Sequence, residues 1–227
     1  MGSLYLKTKL KGLIFMRSIK ALELLNEGRI DELKQLLSDE IYTESLSNKP
    51  PGAKQRYAAM KKYFSYAGTI RESLMKPCEV EYEGEKYNSF CNSYSLALTK
   101  ESCGEMAMCE DPSRYPDVKR LIYTEGNVIK VDFAKVFAEA KSKGYKLKKS
   151  EFYGNKFLMK FDGAYFRLPL LESTYSIIDD GSIPTVYHPE GMRPMVIKND
   201  IGLCVIMPVR IEDEDEAELD SIIIDVE

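Results

Sequence analysis

Apolar positions recur along the chain with two different periods, and the changes of period divide it. Near the start, Ile19, Leu22 and Leu25 and then Ile30, Leu33 and Leu37 repeat at helical spacing on either side of Gly28. Residues 18–25 and 30–37 therefore read as a helical pair or one interrupted helix. The stretch 45–52, SLSNKPPG, is turn or linker chemistry, because two prolines remove backbone donors and restrain the residue before them. From 53 to 67 a helical period returns: Tyr57, Met60, Phe64 and Ala67 mark one face, and Lys54, Arg56, Lys61 and Lys62 occupy other positions. The period then shortens to two. Cys78, Val80 and Tyr82 alternate with Glu79, Glu81 and Glu83, and Gly84 turns the chain into 87–90 and 95–98, which predicts an antiparallel meander. Residues 101–112 read as a solvated loop, since Glu101, Glu105, Glu110 and Asp111 have no histidine near them.

In the second half, 128–131 predicts a short strand. Asp132 then caps a helix with Phe133, Val136, Phe137 and Ala140 on one face and Gly144 as its stop. Lys135, Lys141 and Lys143 accompany that helix, and Lys146, Lys148 and Lys149 follow it. Strands at 157–161 and 164–167 meet at Asp162-Gly163. Pro169 suits the first turn of a second helix, 170–178, and a strand is expected at 185–187. A hairpin closes the series, pairing 195–198 with 203–209 around Asn199, Asp200, Ile201 and Gly202.

That hairpin ends in Met207, Pro208, Val209 and Arg210, which resembles the Met-Pro-hydrophobic-Arg signature closing the last domain of the bacterial DNA polymerase III sliding clamp (beta subunit) family. Upstream, RYPDVKRL at 114–121 resembles the aromatic-Pro-Asp segment that leads from one clamp domain into the next. NSYSLA at 92–97 resembles the family's Thr-Asp-Gly-aromatic-Arg-Leu-Ala strand entry, with Asn92 and Ser93 in place of Asp-Gly and Ser95 in place of the arginine. The three motifs stand in family order and spacing. They imply an α+β, DNA clamp-like fold of antiparallel sheets with helices packed on one face, in a shortened relative of the phage or mobile-element kind. On that reading, 1–50 is a helical segment, 51–125 an abbreviated clamp-like domain, 126–210 a C-terminal clamp-like domain, and 211–227 an acidic tail ending in an apolar strand. Family members have three such domains and close as dimers, so the chain departs from them in length and in its extra tail.

The resemblance implies a replication accessory protein that tethers partners to duplex DNA. Its phosphate contacts would be Lys54, Arg56, Lys61, Lys62, Lys135, Lys141 and Lys143; the alternative for these bases is the solvated face of surface helices. Met207, Pro208, Val209 and Arg210 would line a pocket for linear peptides of polymerases or clamp loaders, or else be a core strand that simply ends. Closure would require a homo-oligomer, while a non-ring adaptor that keeps the clamp fold is the alternative function. The run SIIIDV at 221–226 is expected either to dock in or beside the peptide pocket or to contact another subunit.

Composition adjusts this picture in two places. The 227 residues carry a formal charge of −4, but nine acids and no base follow Arg210, leaving 32 bases against 27 acids, a net +5, before it. Five cysteines without a CxxC pair, and a single histidine, argue against zinc or a disulfide framework. Cys204 reads as a small core residue. Cys103 and Cys109 are near enough in sequence to meet, yet the odd count and the lack of an export signal favour a reducing cytoplasm. The apolar run in KGLIF, 11–15, is too short to span a bilayer. No nucleophile elbow, phosphate-binding loop or dinucleotide fingerprint is present, and His188 beside Pro189 lacks a catalytic setting, so neither an enzyme nor a cofactor is expected.

Overall fold

A computed structural model describes residues 18–66, 72–148, 152, 154, 157–161, 163–188, 192–211 and 222–226. The segment 11–15, Ala67, Lys149, Asp162, Pro189, Ser221 and the acids from Glu212 to Asp220 were all assigned from sequence and lie outside these residues. The chain divides into two compact units, Met1–Lys49 and Pro50–Glu227. In the first, helix α1 (18–26) and helix α2 (Ile30–Ser45) meet at Gly28, and Arg29 clasps Glu27 at 2.9 Å and Glu32 at 2.6 Å. Helix α2 runs eight residues past the expected stop at 37, because nothing in 38–45 breaks a helix and the first proline is Pro50. No helix of the described residues is long and apolar enough to cross a membrane.

The second unit is built on a seven-stranded antiparallel sheet. Its strands are β1 (Cys78–Tyr82), β2 (Glu85–Cys91), β3 (Ser95–Thr99), β4 (Asn127–Lys130), β7 (Thr185–His188), β8 (Met195–Lys198) and β9 (Gly202–Ile206), in the order β1-β2-β3-β9-β8-β7-β4. The meander β1–β3 thus joins the closing hairpin β8–β9 through the β3–β9 ladder, from Ser95↔Ile206 to Thr99↔Gly202. Residues of 51–125 and of 126–210 share one sheet. Every residue of β3 and β9 is buried, as expected of central strands covered on both faces.

Strand alternation assigns the two faces. Leu96, Leu98, Val196, Leu203 and Val205 point one way, into a cluster completed by Cys78, Tyr82, Tyr87, Tyr115, Val118 and Ile122. The stretch after the expected solvated loop 101–112 therefore covers this face through Tyr115, Val118 and Ile122, and within that loop Cys103 is also buried. Two short 3-10 turns, Pro112–Arg114 and Val118–Arg120, let it do so: Asp111 and Asp117 cap them by accepting from the Ser113 and Lys119 N–H groups. Glu101 falls within the same loop and is half-buried, for a reason given below.

The opposite face carries helices α3 (Ala53–Tyr66) and α5 (Leu168–Tyr175). Both reach Ser95. Its hydroxyl lies 3.0 Å from the Tyr63 hydroxyl of α3 and accepts from Thr174 of α5 at 2.8 Å, while Asn92 Oδ1 accepts from Ser95 Oγ at 3.1 Å and from the Tyr94 and Ser95 N–H groups. All of these hydroxyls are buried, so each needs such a partner, and the network fixes both helices to one strand. Helix α4 (Phe133–Ser142) lies beside α5, with Phe133 and Phe137 packed against Tyr175 at ring distances of 5.0 and 6.5 Å. Asp132 caps it as expected, accepting from the Lys135 N–H at 3.2 Å. The helices form a row, α3, α5, α4.

A smaller sheet lies beyond α5. Strands β5 (Phe157–Phe161) and β6 (Ala164–Arg167) form a hairpin, and β10 (Ile222–Val226) pairs with β5 in parallel, from Ile222↔Phe157 to Val226↔Phe161. This parallel pair departs from the expected antiparallel arrangement. A hairpin turn imposes antiparallel pairing, whereas β10 returns through a long connection that carries no such constraint.

Burial of ionisable core groups gives the fold a pH dependence. Desolvation pushes the Cys103 thiol up to about 12, raises Cys204 well above its usual value, and raises Tyr63, Tyr115 and Tyr175 likewise. These groups bind their protons more tightly folded than unfolded. Their contribution is complete below the unfolded thiol value of about 8.5 and is lost as pH rises towards the folded values. Urea unfolding is expected to give constant stability from pH 6 to 8 and a loss of about 2 kcal/mol between pH 8 and 9.5. A flat profile over the whole range would show these groups to be hydrated in the folded state.

Candidate nucleic-acid interface

Helix α3 has a stripe that faces the sheet and a face that does not. Ala53, Arg56, Tyr57, Met60 and Tyr63 are buried, while Lys61 and Lys62 are exposed and Lys54 is half-buried. Lys61 lays its ammonium 4.7 Å from the centre of the Tyr57 ring, a cation–π contact that also roofs the ring. Lys62 stands at the rim of a cleft described below.

Arg56 is placed differently from the other α3 bases. It is 1% exposed, and its guanidinium donates to Glu101 at 2.6 Å, to the Asp179 carbonyl at 3.1 Å and to the Pro51 carbonyl at 3.2 Å. Its charge faces Glu101 and two carbonyls, and so is not presented to a phosphate in solution. Gly52 makes the room: a Cβ there would lie 2.6 Å from Arg56 Nη1, and its φ of +86° suits glycine. The position is legible in retrospect, since 56 falls on the stripe 53, 57, 60, 63, whereas Glu101, 45 residues away, has no local signature.

On and around α4, Lys135, Lys141 and Lys143 are exposed, but each has an acid beside it. Lys135 lies 3.5 Å from Asp132, Lys141 3.0 Å from Glu172 of α5, and Lys143 2.8 Å from Glu139. The more exposed pairs of Lys135 and Lys143 contribute little stability and are readily exchanged for another anion, whereas Glu172 is mostly enclosed. Beyond α4, Lys146 and Lys148 are exposed on either side of Leu147, whose side chain packs on Phe152 and Leu170. Leu147 also lines a cleft of about 350 Å³ with Gln55, Ala58, Ala59 and Lys62 of α3 and with Ser173, Ser176 and Asp179 at the end of α5. The cleft brings Lys62 and Leu147 together across about eighty-five residues of sequence, an arrangement that helical periodicity alone does not reveal. Helix α5 itself, LPLLESTY, contains no base.

The Met207–Arg210 segment connects the two sheets. Met207 donates its N–H to the Tyr94 carbonyl at 3.0 Å, Pro208 has none to donate, and Val209 donates to the Tyr165 carbonyl of β6 at 2.7 Å. Val209 is buried, Met207 and Pro208 are half-buried, and Arg210 is exposed. The proline thus falls where the chain leaves β9, and the next residue closes the edge of β6. None of the four lines the cleft between α3 and α5.

Among the described residues, no group of three His, Cys, Asp or Glu side chains is placed to hold a metal ion. The exposed bases on α3 and at α4, Lys61, Lys62, Lys135, Lys141 and Lys143, are all flexible ammonium groups. Their chemistry suits phosphate oxygens approached at long side-chain reach. A comparison with protein-family models finds no match, and a comparison with characterised proteins finds none either.

Proposed function

We propose that the chain is a relative of the bacterial sliding clamps that tethers a replication partner to duplex DNA through non-specific phosphate contacts. The observation that carries this reading is that the exposed Lys62 of α3 lines one cleft with Leu147, whose sequence neighbours Lys146 and Lys148 are both exposed. The element order β4, α4, β5, β6, α5, β7, β8, β9 supports it, because strand, helix, strands, helix, strands is the order the resemblance implies. The Met-Pro-Val-Arg segment would serve partner peptides through Met207 and Arg210, which reach the surface. A second reading, a non-ring adaptor with the same fold, is favoured by the acid beside each α4 lysine and by the lack of bases on α5.

Duplex binding measured from 25 to 200 mM salt separates the two. A tether should lose affinity log-linearly with salt, show no sequence preference, and lose about 0.9 of slope for each of Lys62→Ala and Lys146→Ala. Binding that ignores salt, selects a sequence, or is absent at the lowest salt would leave the adaptor.

A further inference from the structure

The small sheet has two edges, and each is closed by residues that follow β9. At the β6 edge, Val209 donates to Tyr165. At the β5 edge, Ile222–Val226 pairs along the whole strand, opposite Phe157, Leu158, Met159, Lys160 and Phe161 in turn. We propose that the β5 edge is a strand-accepting site for an acid-flanked, β-branched peptide running parallel to it, and that Ile222–Val226 is a displaceable occupant supplied in cis.

Three observations point this way. Phe157, Leu158, Met159 and Phe161 are buried with β10 in place, and Leu158 to Phe161 are paired with β6 on their other side, so β5 is held in extended form by a ladder that does not involve β10. An edge of this kind binds through backbone hydrogen bonds and can exchange one strand for another. Second, the tether does not force the pairing. From Val209 across β6 and β5 to β10 is three strand spacings, about 14 Å, whereas the eleven steps from Ile211 to Ile222 reach about 36 Å. Occupancy is therefore set by the ladder itself, which is of the parallel kind, slightly weaker per residue than an antiparallel one. Third, the neighbourhood has a charge preference. Helix α4 contacts β10 and carries Lys135 and Lys143 in exposed ion pairs, with Asp132 and Glu139, that a peptide carboxylate can replace, and Lys160 stands in register with Asp225. The occupant has matching chemistry, with Ile222, Ile223 and Ile224 next to Asp225 and seven acids between Glu212 and Asp220. None of this depends on DNA binding.

A fluorescent peptide of residues 218–227, ELDSIIIDVE, is the probe. Full-length Ile223→Pro removes a ladder donor from the tethered strand and should bind the peptide in the micromolar range. The unsubstituted chain should bind it about tenfold more weakly or worse, because its own strand competes at an effective concentration in the millimolar range. Hydrogen exchange should show 157–161 protected in the unsubstituted chain, open in Ile223→Pro, and protected again on adding peptide. A chain ending at Ile211 should behave like Ile223→Pro. Folded variants that bind no peptide, or variants that fail to fold because β10 is integral to the unit, would each overturn the proposal. So would concentration-dependent dimers abolished by Ile223→Pro, which would assign the site to exchange with a second copy.

Discussion

Replacing Gly202 with alanine is expected to destabilise the protein by about 4 kcal/mol, or to prevent folding outright. Gly202 opens β9 directly opposite Thr99 of β3, and a Cβ built on it would lie 2.0 Å from the Leu98 carbonyl oxygen and 3.0 Å from its carbon. Both obstructing atoms are backbone, so no rotamer change relieves the contact. One strand must move away from the other, at the ladder that joins the meander to the closing hairpin. Gly202 also donates its N–H to Asn199 Oδ1 at 3.1 Å and accepts from the Asn199 N–H at 3.0 Å, so a shift disturbs the turn as well. The check is urea unfolding by far-UV circular dichroism, with Asp200→Ala in the same turn as a control expected to cost under about 0.5 kcal/mol, since that side chain is exposed. A Gly202→Ala protein as stable as the control would mean that β3 and β9 separate easily.

Arg56→Ala should cost about 3 kcal/mol, at the lower end for breaking a buried ion pair. Arg56 is almost wholly enclosed, while Glu101 keeps 24% of its side chain in contact with solvent and can be partly rehydrated once its partner has gone. The Pro51 and Asp179 carbonyls lose a shared donor too. Arg56→Lys should recover little, remaining about 2 kcal/mol below the parent, because one ammonium cannot serve acceptors in three directions. The pairing makes a further demand: Arg56→Met with Glu101→Leu should be more stable than Arg56→Met alone. If Arg56→Ala shifts the urea midpoint by less than about 1 kcal/mol equivalent, the pair is screened by water and the burial argument fails.

These two residues show where local pattern is informative and where it stops. Helix α4 was readable because everything that defines it is within ten residues: Asp132 caps it, and Phe133, Val136, Phe137 and Ala140 all turn inward. Period two gave the meander for the same reason. The exposed faces of Lys61 and Lys62 also follow from helical spacing. Arg56 is harder, because a base on an apolar stripe is explained by Glu101, Asp179 and Pro51, two of which are distant in sequence. The cover over the second sheet face is similar. Tyr115, Val118 and Ile122 are too irregularly spaced to announce a buried segment, and become one because the β2 and β3 residues they meet need covering. The parallel entry of β10 depends on a partner more than sixty residues away and leaves no periodic trace.

The ladder between β3 and β9 also has a consequence in time. Leu98 pairs with Leu203, 105 residues later, so the meander emerges from a ribosome long before the strand that covers its inner edge. At about 5–20 residues per second, that edge waits about 5–20 s without its partner. During this interval β3 presents Leu96, Ala97 and Leu98 with an unpaired backbone, which makes nascent chains, more than finished ones, the species that holding chaperones should capture and that crowding should aggregate.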